Sequence, residues 1–271
     1  LITISNSLDY VSAQAKGPFA RWAAGGVLKV VPRAGVDLNA YYDRRSLKFF
    51  YVKDPVLKKF VFACDSADIV AHELGHALLD TMRPDLWNVQ SLEAWAFHEA
   101  YGDCNAIMSV LSQDKVIDFV LEETNGDMSK NNTVSRLAEQ FGLTLWNLDK
   151  NGNDKECLRN AVNTFTYTEP ENLPKDAPAN RLSSECHSFS RVWTGAWYEF
   201  LVNVYNKHKG EMGPKKALQT ARDVASKYLL RAIPDTPLTT RFFDALARQM
   251  LAYDGTQGRA YRAELLAAMN K

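Results

Sequence analysis

Short runs of β-branched and aromatic residues separated by turn formers fill the first third of the chain, and apolar residues at helical spacing take over after it. Leu1 to Ile4, Val27 to Val31, Leu38 to Tyr42, Leu47 to Val52 and Phe60 to Phe62 read as strands. Gly17-Pro18, Gly25-Gly26 and Pro32 break them, and Asp43-Arg44-Arg45-Ser46 reads as a hairpin turn. Cys64-Asp65-Ser66 ends this region, and either Asp65 or Ser66 can cap a helix that runs to about Met82, where Arg83-Pro84 stops it. Ser91 can cap a second helix, Leu92 to about Leu111, in which Phe97, Ala100, Cys104, Ile107 and Leu111 follow helical spacing. Further helices are expected at Lys115 to Glu123, Val134 to Phe141, Arg159 to Phe165, Phe189 to Tyr205, Lys215 to Leu230, Thr240 to Tyr253 and Arg259 to Met269. Tyr167 to Arg181, rich in Pro, Asn and Glu, reads as a surface loop. The pattern predicts an α+β fold. A β-rich lobe, residues 1–83 including the first of these helices, meets a helical lobe, residues 84–271, and the two act as one unit around a cleft.

The first helix carries His72-Glu73-Leu74-Gly75-His76, the pattern H-E-x-x-H. Residues four apart share a helix face, so His72 and His76 can present two imidazoles to one metal ion with Glu73 beside them. Imidazole suits zinc, and a carboxylate next to the metal can take a proton from water. Two histidines leave a tetrahedral zinc one protein ligand short if its last position is to hold water. The second helix offers Glu99 and Asp103, again four apart on a largely apolar helix where unbound carboxylates would be out of place. Glu99 as the third ligand, with Asp103 accepting an N–H from a ligand imidazole, accounts for both. His98 points about a third of a turn away from Glu99, which suits a core or supporting position better than ligation.

Charge and composition remove other classes. Lys+Arg and Asp+Glu both number 32, so no global field favours nucleic acid or an anionic membrane. No apolar run approaches the roughly 20 residues of a membrane span, and Leu1-Ile2-Thr3-Ile4 has no basic stretch or cleavage site of an export signal. A soluble chain is expected. Cys64, Cys104, Cys157 and Cys186 form no C-x-x-C pair, which argues against a cysteine zinc cluster; disulfides and free thiols are both compatible with their spacing.

These motifs together resemble the thermolysin-like zinc metallopeptidases of the gluzincin type, over about Asp37 to Tyr198. His72-Glu73-x-x-His76 with Asp80 is similar to that family's metal helix, and Glu99 with Asp103 to its N-E-x-x-S-D helix, although His98 and Gly102 replace the flanking Asn and Ser. Asn39-Ala40-Tyr41-Tyr42 resembles the edge strand to which an extended substrate adds by backbone pairing. The resemblance implies that Arg159, in Cys157-Leu158-Arg159-Asn160, bonds a substrate carbonyl, and that His187, in Glu185-Cys186-His187-Ser188, stabilises the oxyanion. It also implies that Ile69 and Leu158 line the pocket for the side chain after the scissile bond. The aromatic residue that assists His187 is left open between Trp87 and Tyr101. Calcium is left open too: Ser109, Val110 and Leu111 stand where a paired calcium site would need acids, and Asp149 to Asp154 reads as a plain turn. The expectation is a secreted endopeptidase with one zinc ion held by His72, His76 and Glu99, Glu73 as the base, and a peptide or protein as substrate. An aminopeptidase is the first rival, but the G-x-M-E-N motif of that group is missing. A zinc-containing binding protein without turnover is the second; Glu73 argues against it, because a structural zinc needs no adjacent base.

Overall fold

The computed structural model describes residues 1–15, 19, 21–23 and 25–270, which form an α+β fold. The expected break at Gly17-Pro18 lies outside the described residues. Lys29–Val31 (β1) pairs in parallel with Ser46–Phe49 (β3), which pairs antiparallel with Ala40–Tyr42 (β2), giving the order β1-β3-β2. The run Leu47 to Val52 is divided between two sheets: β3 ends at Phe49, and Tyr51–Lys53 (β4) pairs antiparallel with Phe60–Phe62 (β5). Asp43 makes the hairpin turn as expected, its carboxylate accepting the N–H groups of Arg45 and Ser46 at 3.0 and 2.7 Å.

Two helices carry the centre of the molecule. Ala67–Met82 (α2) begins after Ser66, whose hydroxyl bonds the Asp68 carboxylate instead of a backbone N–H, and Leu92–Leu111 (α3) begins after Ser91. Their axes come close because two glycines face each other: a Cβ on Gly75 would lie 2.9 Å from the Gly102 Cα, and one on Gly102 would lie 2.6 Å from the His72 ring. Leu74, Leu78, Phe97, Ala100 and Tyr101 are sealed from solvent around this contact, and Cys186–Met212 (α6) adds Phe189, Trp193 and Trp197 from the far side of α3. Asp114–Thr124 (α4), Pro214–Ala232 (α7), Phe242–Thr256 (α8) and Arg262–Met269 (α9) complete the helical part, close to the expected bounds.

Three expectations fail for identifiable reasons. Leu1 to Ile4 is not a strand but the start of a helix, Ile2–Gln14 (α1). Its β-branched residues favour a strand, yet Ile4, Ser7, Leu8 and Val11 form one helical face against the core, and Ser7 meets Asn105 of α3 at 3.3 Å. Val134 to Phe141 is not one helix. Asn132 accepts the N–H groups of Val134 and Ser135 at 3.0 Å, Arg136–Leu137 (β6) follows, and only after Ala138, with φ at +55°, does Glu139–Leu148 (α5) begin. Arg159 to Phe165 is not a helix either: Arg159–Asn160 (β7) pairs with β6, and Asn160 and Asn163 then accept the N–H groups of Val162 and Phe165 at 2.9 and 3.0 Å. Tyr167 to Arg181 is irregular apart from a 3-10 turn at Pro170–Asn172. Asp149 and Asp154 accept nearby N–H groups at 2.9 and 2.8 Å, as in an ordinary turn. Among the described residues no helix is long and apolar enough to cross a membrane.

Candidate active site

α2 and α3 bring their polar faces to the floor of a cleft of about 740 Å³. His72 Nε2 lies 3.4 Å from Glu99 Oε2, and His76 Nε2 lies 3.6 Å from Glu99 Oε1. A tetrahedral zinc with bonds of about 2.0–2.1 Å sets neighbouring ligand atoms roughly 3.3 Å apart, close to both separations, each of which is made to a different oxygen of Glu99. Glu73 also comes within 4.8 Å of the two histidines. It differs from Glu99 in being left over: its buried Oε2 has no hydrogen-bond partner among the described residues. Burial, with Glu99 nearby, pushes the Glu73 carboxyl up to about 7. Burial penalises charge on Glu99 as well, yet His76, His72 and His187 outweigh it and hold that carboxyl well below its usual range.

The histidines are set by different neighbours. Asp103, 1% exposed, accepts from His72 Nδ1 at 2.9 Å, which turns Nε2 toward Glu99 and the cleft. Arg159 grips the same carboxylate twice, Nε to Oδ2 at 2.8 Å and Nη2 to Oδ1 at 2.6 Å. The β6–β7 pair places this guanidinium at the cleft wall. Burial alone would lower His72, but Asp103 and Glu99 lift it to about 9. For His76 burial wins and the ring is driven down to about 3, hence neutral and able to ligate. His98 is buried, both ring nitrogens without a partner among the described residues, between the rings of His76 at 5.7 Å and Trp87 at 5.4 Å. Asp80, fully buried, accepts from the Tyr42 hydroxyl at 2.9 Å and from Arg44 at 2.9 and 3.0 Å, which ties β2 and its turn to α2.

Opposite this floor, His187 stands in the first turn of α6 and not ahead of the helix as expected. Its Nε2 lies 3.4 Å from Glu99 Oε2, and its Nδ1 lies 2.6 Å from Glu185 Oε1. Cys186 and Glu185 beside Nδ1 lift the imidazole to about 11, so it carries a proton on both nitrogens at neutral pH. Trp87 lines the cleft, whereas Tyr101 is fully buried and outside it.

β2 forms the third side. Phe50 N–H bonds Asn39 C=O and Asp43 N–H bonds Ser46 C=O, which marks residues 39, 41 and 43 as the ones paired inward. Ala40 and Tyr42 therefore turn their backbone groups outward. The Ala40 N–H is already taken by Asn39 Oδ1 at 2.8 Å, which leaves the Ala40 C=O and the Tyr42 groups for an incoming strand. Ile69 and Leu158 line the cleft together with Leu137 and Phe141.

All the residues expected at the site line this one cleft: His72, Glu73, His76, Glu99, Asp103, Asn39, Ala40, Ile69, Leu158, Arg159 and His187. Two further residues come with them. Glu185 is the N-cap of α6, accepting from Ser188 N–H at 2.9 Å, and Cys186 follows it; an acidic residue just ahead of a helix is the signal that could have drawn attention to Glu185. The four cysteines are free thiols. Compared with known proteins, the chain matches no protein-family model and no curated sequence.

Proposed function

We propose that this chain is a zinc-dependent endopeptidase, with the ion held by His72, His76 and Glu99. The observation that supports the reading is the convergence of His72 and His76 on the two oxygens of Glu99, at 3.4 and 3.6 Å, beside Glu73, a buried carboxylate that has an oxygen without a partner among the described residues. A structural metal site would be closed by four protein ligands and would have no use for that oxygen. Zinc held there supplies Lewis acidity, lowering the pKa of a water to about 7 and polarising a carbonyl. Glu73 takes the proton of the attacking water and delivers it to the departing amine, so the same carboxyl serves as base and then as acid. His187, protonated through its contact with Glu185, donates its Nε2–H to the oxyanion that forms on the scissile carbonyl. Asp103 fixes the tautomer of His72, and Arg159 fixes Asp103. The outward backbone groups of Ala40 and Tyr42 hold an extended peptide against the cleft.

Metal content and peptide hydrolysis test the reading together. Purified protein should bind about one zinc per chain through these three residues, and His76→Ala should lose that ion and the activity with it. Glu73→Gln should keep the ion and the fold while kcat falls at least ~100-fold, because it removes the base and no ligand. Full activity in Glu73→Gln, or full metal retention in His76→Ala, would sink the assignment.

A further inference from the structure

A second set of donors stands at the rim of the same cleft, built from three consecutive residues. Glu185 Oε1 lies 2.6 Å from His187 Nδ1 and 3.3 Å from Cys186 Sγ, and Sγ lies 3.6 Å from Nδ1. The start of α6 imposes this convergence: Glu185 is pinned as N-cap by Ser188 N–H at 2.9 Å, so its free oxygen folds back over the first helical turn. A tetrahedral zinc bonded to sulfur at about 2.3 Å and to nitrogen and oxygen at about 2.0–2.1 Å would hold the two sulfur edges near 3.5 Å and the third edge near 3.3 Å. Both sulfur edges are thus in place. The third is drawn shorter by the Glu185–His187 hydrogen bond and would open by roughly 0.7 Å on metal binding.

We propose that Glu185, Cys186 and His187 form a second cation site, for zinc or a similarly thiophilic divalent metal, with water completing the ligand set. Thiolate, imidazole and carboxylate together make a donor set that favours such ions over calcium or magnesium. The side chains of Glu185 and His187 are 43% and 55% exposed, so the site is open to an ion from solution. It does not compete with the first site for a nitrogen. His187 turns Nε2 toward Glu99 at 3.4 Å and Nδ1 toward the rim, so the two sites use opposite sides of one ring. Binding exchanges the thiol proton and the Nδ1 proton for the metal and releases both to solvent. The imidazole keeps its Nε2–H, so a rim ion fixes the tautomer in which His187 is a donor toward the cleft. That last consequence rests on the proposed peptidase reading; the site itself does not.

Cobalt titration of the metal-stripped, reduced protein separates the two sites, because only the rim site contains sulfur. Among the described residues, Cys64, Cys104 and Cys157 belong to no comparable group of donors, so a thiolate-to-cobalt charge-transfer band reports on Cys186. Two equivalents of cobalt should bind, one of them accompanied by that band. Cys186→Ser should lose the band and one equivalent, while His76→Ala should lose the other equivalent and keep the band. Zinc should also slow alkylation of Cys186 in the unsubstituted protein, read by peptide mass mapping, which requires no variant to fold. Absence of a charge-transfer band at saturating cobalt, a band that survives Cys186→Ser, or alkylation unaffected by zinc would overturn the proposal. Failure of the His72–His76–Glu99 assignment would appear separately, as a missing thiol-free equivalent.

Discussion

Glu73 is poorly placed for stability, and the proposed base role would draw on that placement. A carboxylate sealed into the floor of the cleft with an unpartnered oxygen keeps its proton to about pH 7, against 4.5 for an ordinary glutamate. The folded metal-free protein therefore binds more proton than the unfolded chain between those two values, and its stability falls as pH rises through the window. At about 1.4 kcal/mol per unit, the full effect is roughly 3 kcal/mol above pH 7, and it vanishes below pH 4.5. Glu73→Gln removes the charge and keeps the shape. The metal-stripped variant should melt several degrees above the metal-stripped parent at pH 8, and the gap should close toward pH 5. A scan across pH by calorimetry or circular dichroism checks this. An equal difference at both ends would mean that the gain has nothing to do with ionisation.

Helix α2 and helix α3 act as one device, and the glycines at their crossing set its tolerance. A Cβ on Gly102 would lie 2.6 Å from Cε1 and Nδ1 of His72, whose ring is already fixed by Asp103. Gly102→Ala should displace that ring and weaken zinc binding by roughly 10–100-fold, measured by competition with a chromophoric chelator. Gly210, near the end of α6, has nothing within 4 Å of its would-be Cβ, so Gly210→Ala should leave zinc affinity unchanged. Unaltered affinity in Gly102→Ala would show that the ring is freer than its contacts suggest. These two helices were also the most legible part of the sequence, since a cap position, a helical apolar stripe and a stop were all local. α1 was hidden because Ser7, a polar residue, completes its buried face by bonding Asn105 nearly a hundred positions away. β6 and β7 were hidden because asparagine side chains capture the backbone N–H groups a helix would have used, and because Asp68 of α2 holds the Ala138 N–H where the chain turns left-handed. Within the site, side chains spaced four apart on one helix face, His72 with His76 and Glu99 with Asp103, could be read directly. The grip of Arg159 on Asp103 could not, since it depends on that strand pair.

At the scale of the whole molecule, the cleft is enclosed by parts of the chain that are far apart in sequence. The outward edge of β2 bounds one side, the start of α6 and the irregular segment near Asp176 to Ala179 bound another, and α2 forms the floor. An extended peptide laid along β2 would pass over His72, His76 and Glu73 and place one side chain among Ile69, Leu137, Phe141 and Leu158. Beside these side chains Asp68 is held by Ala138 N–H and Ser66, and Arg159 is engaged by Asp103, so on the proposed reading the pocket would select by apolar contact. Each buried methylene adds ~0.8 kcal/mol, so Leu should be preferred to Ala after the scissile bond by roughly tenfold or more in kcat/KM. Mass spectrometry of cleavage sites in a digest of denatured protein reads this preference directly. Leu, Ile, Val or Phe should dominate the position immediately after the cut, at sites inside the substrate chains. A preference for acidic or basic residues there would mean that the substrate lies the other way or in another part of the cleft, and release of single amino-terminal residues alone would favour an aminopeptidase.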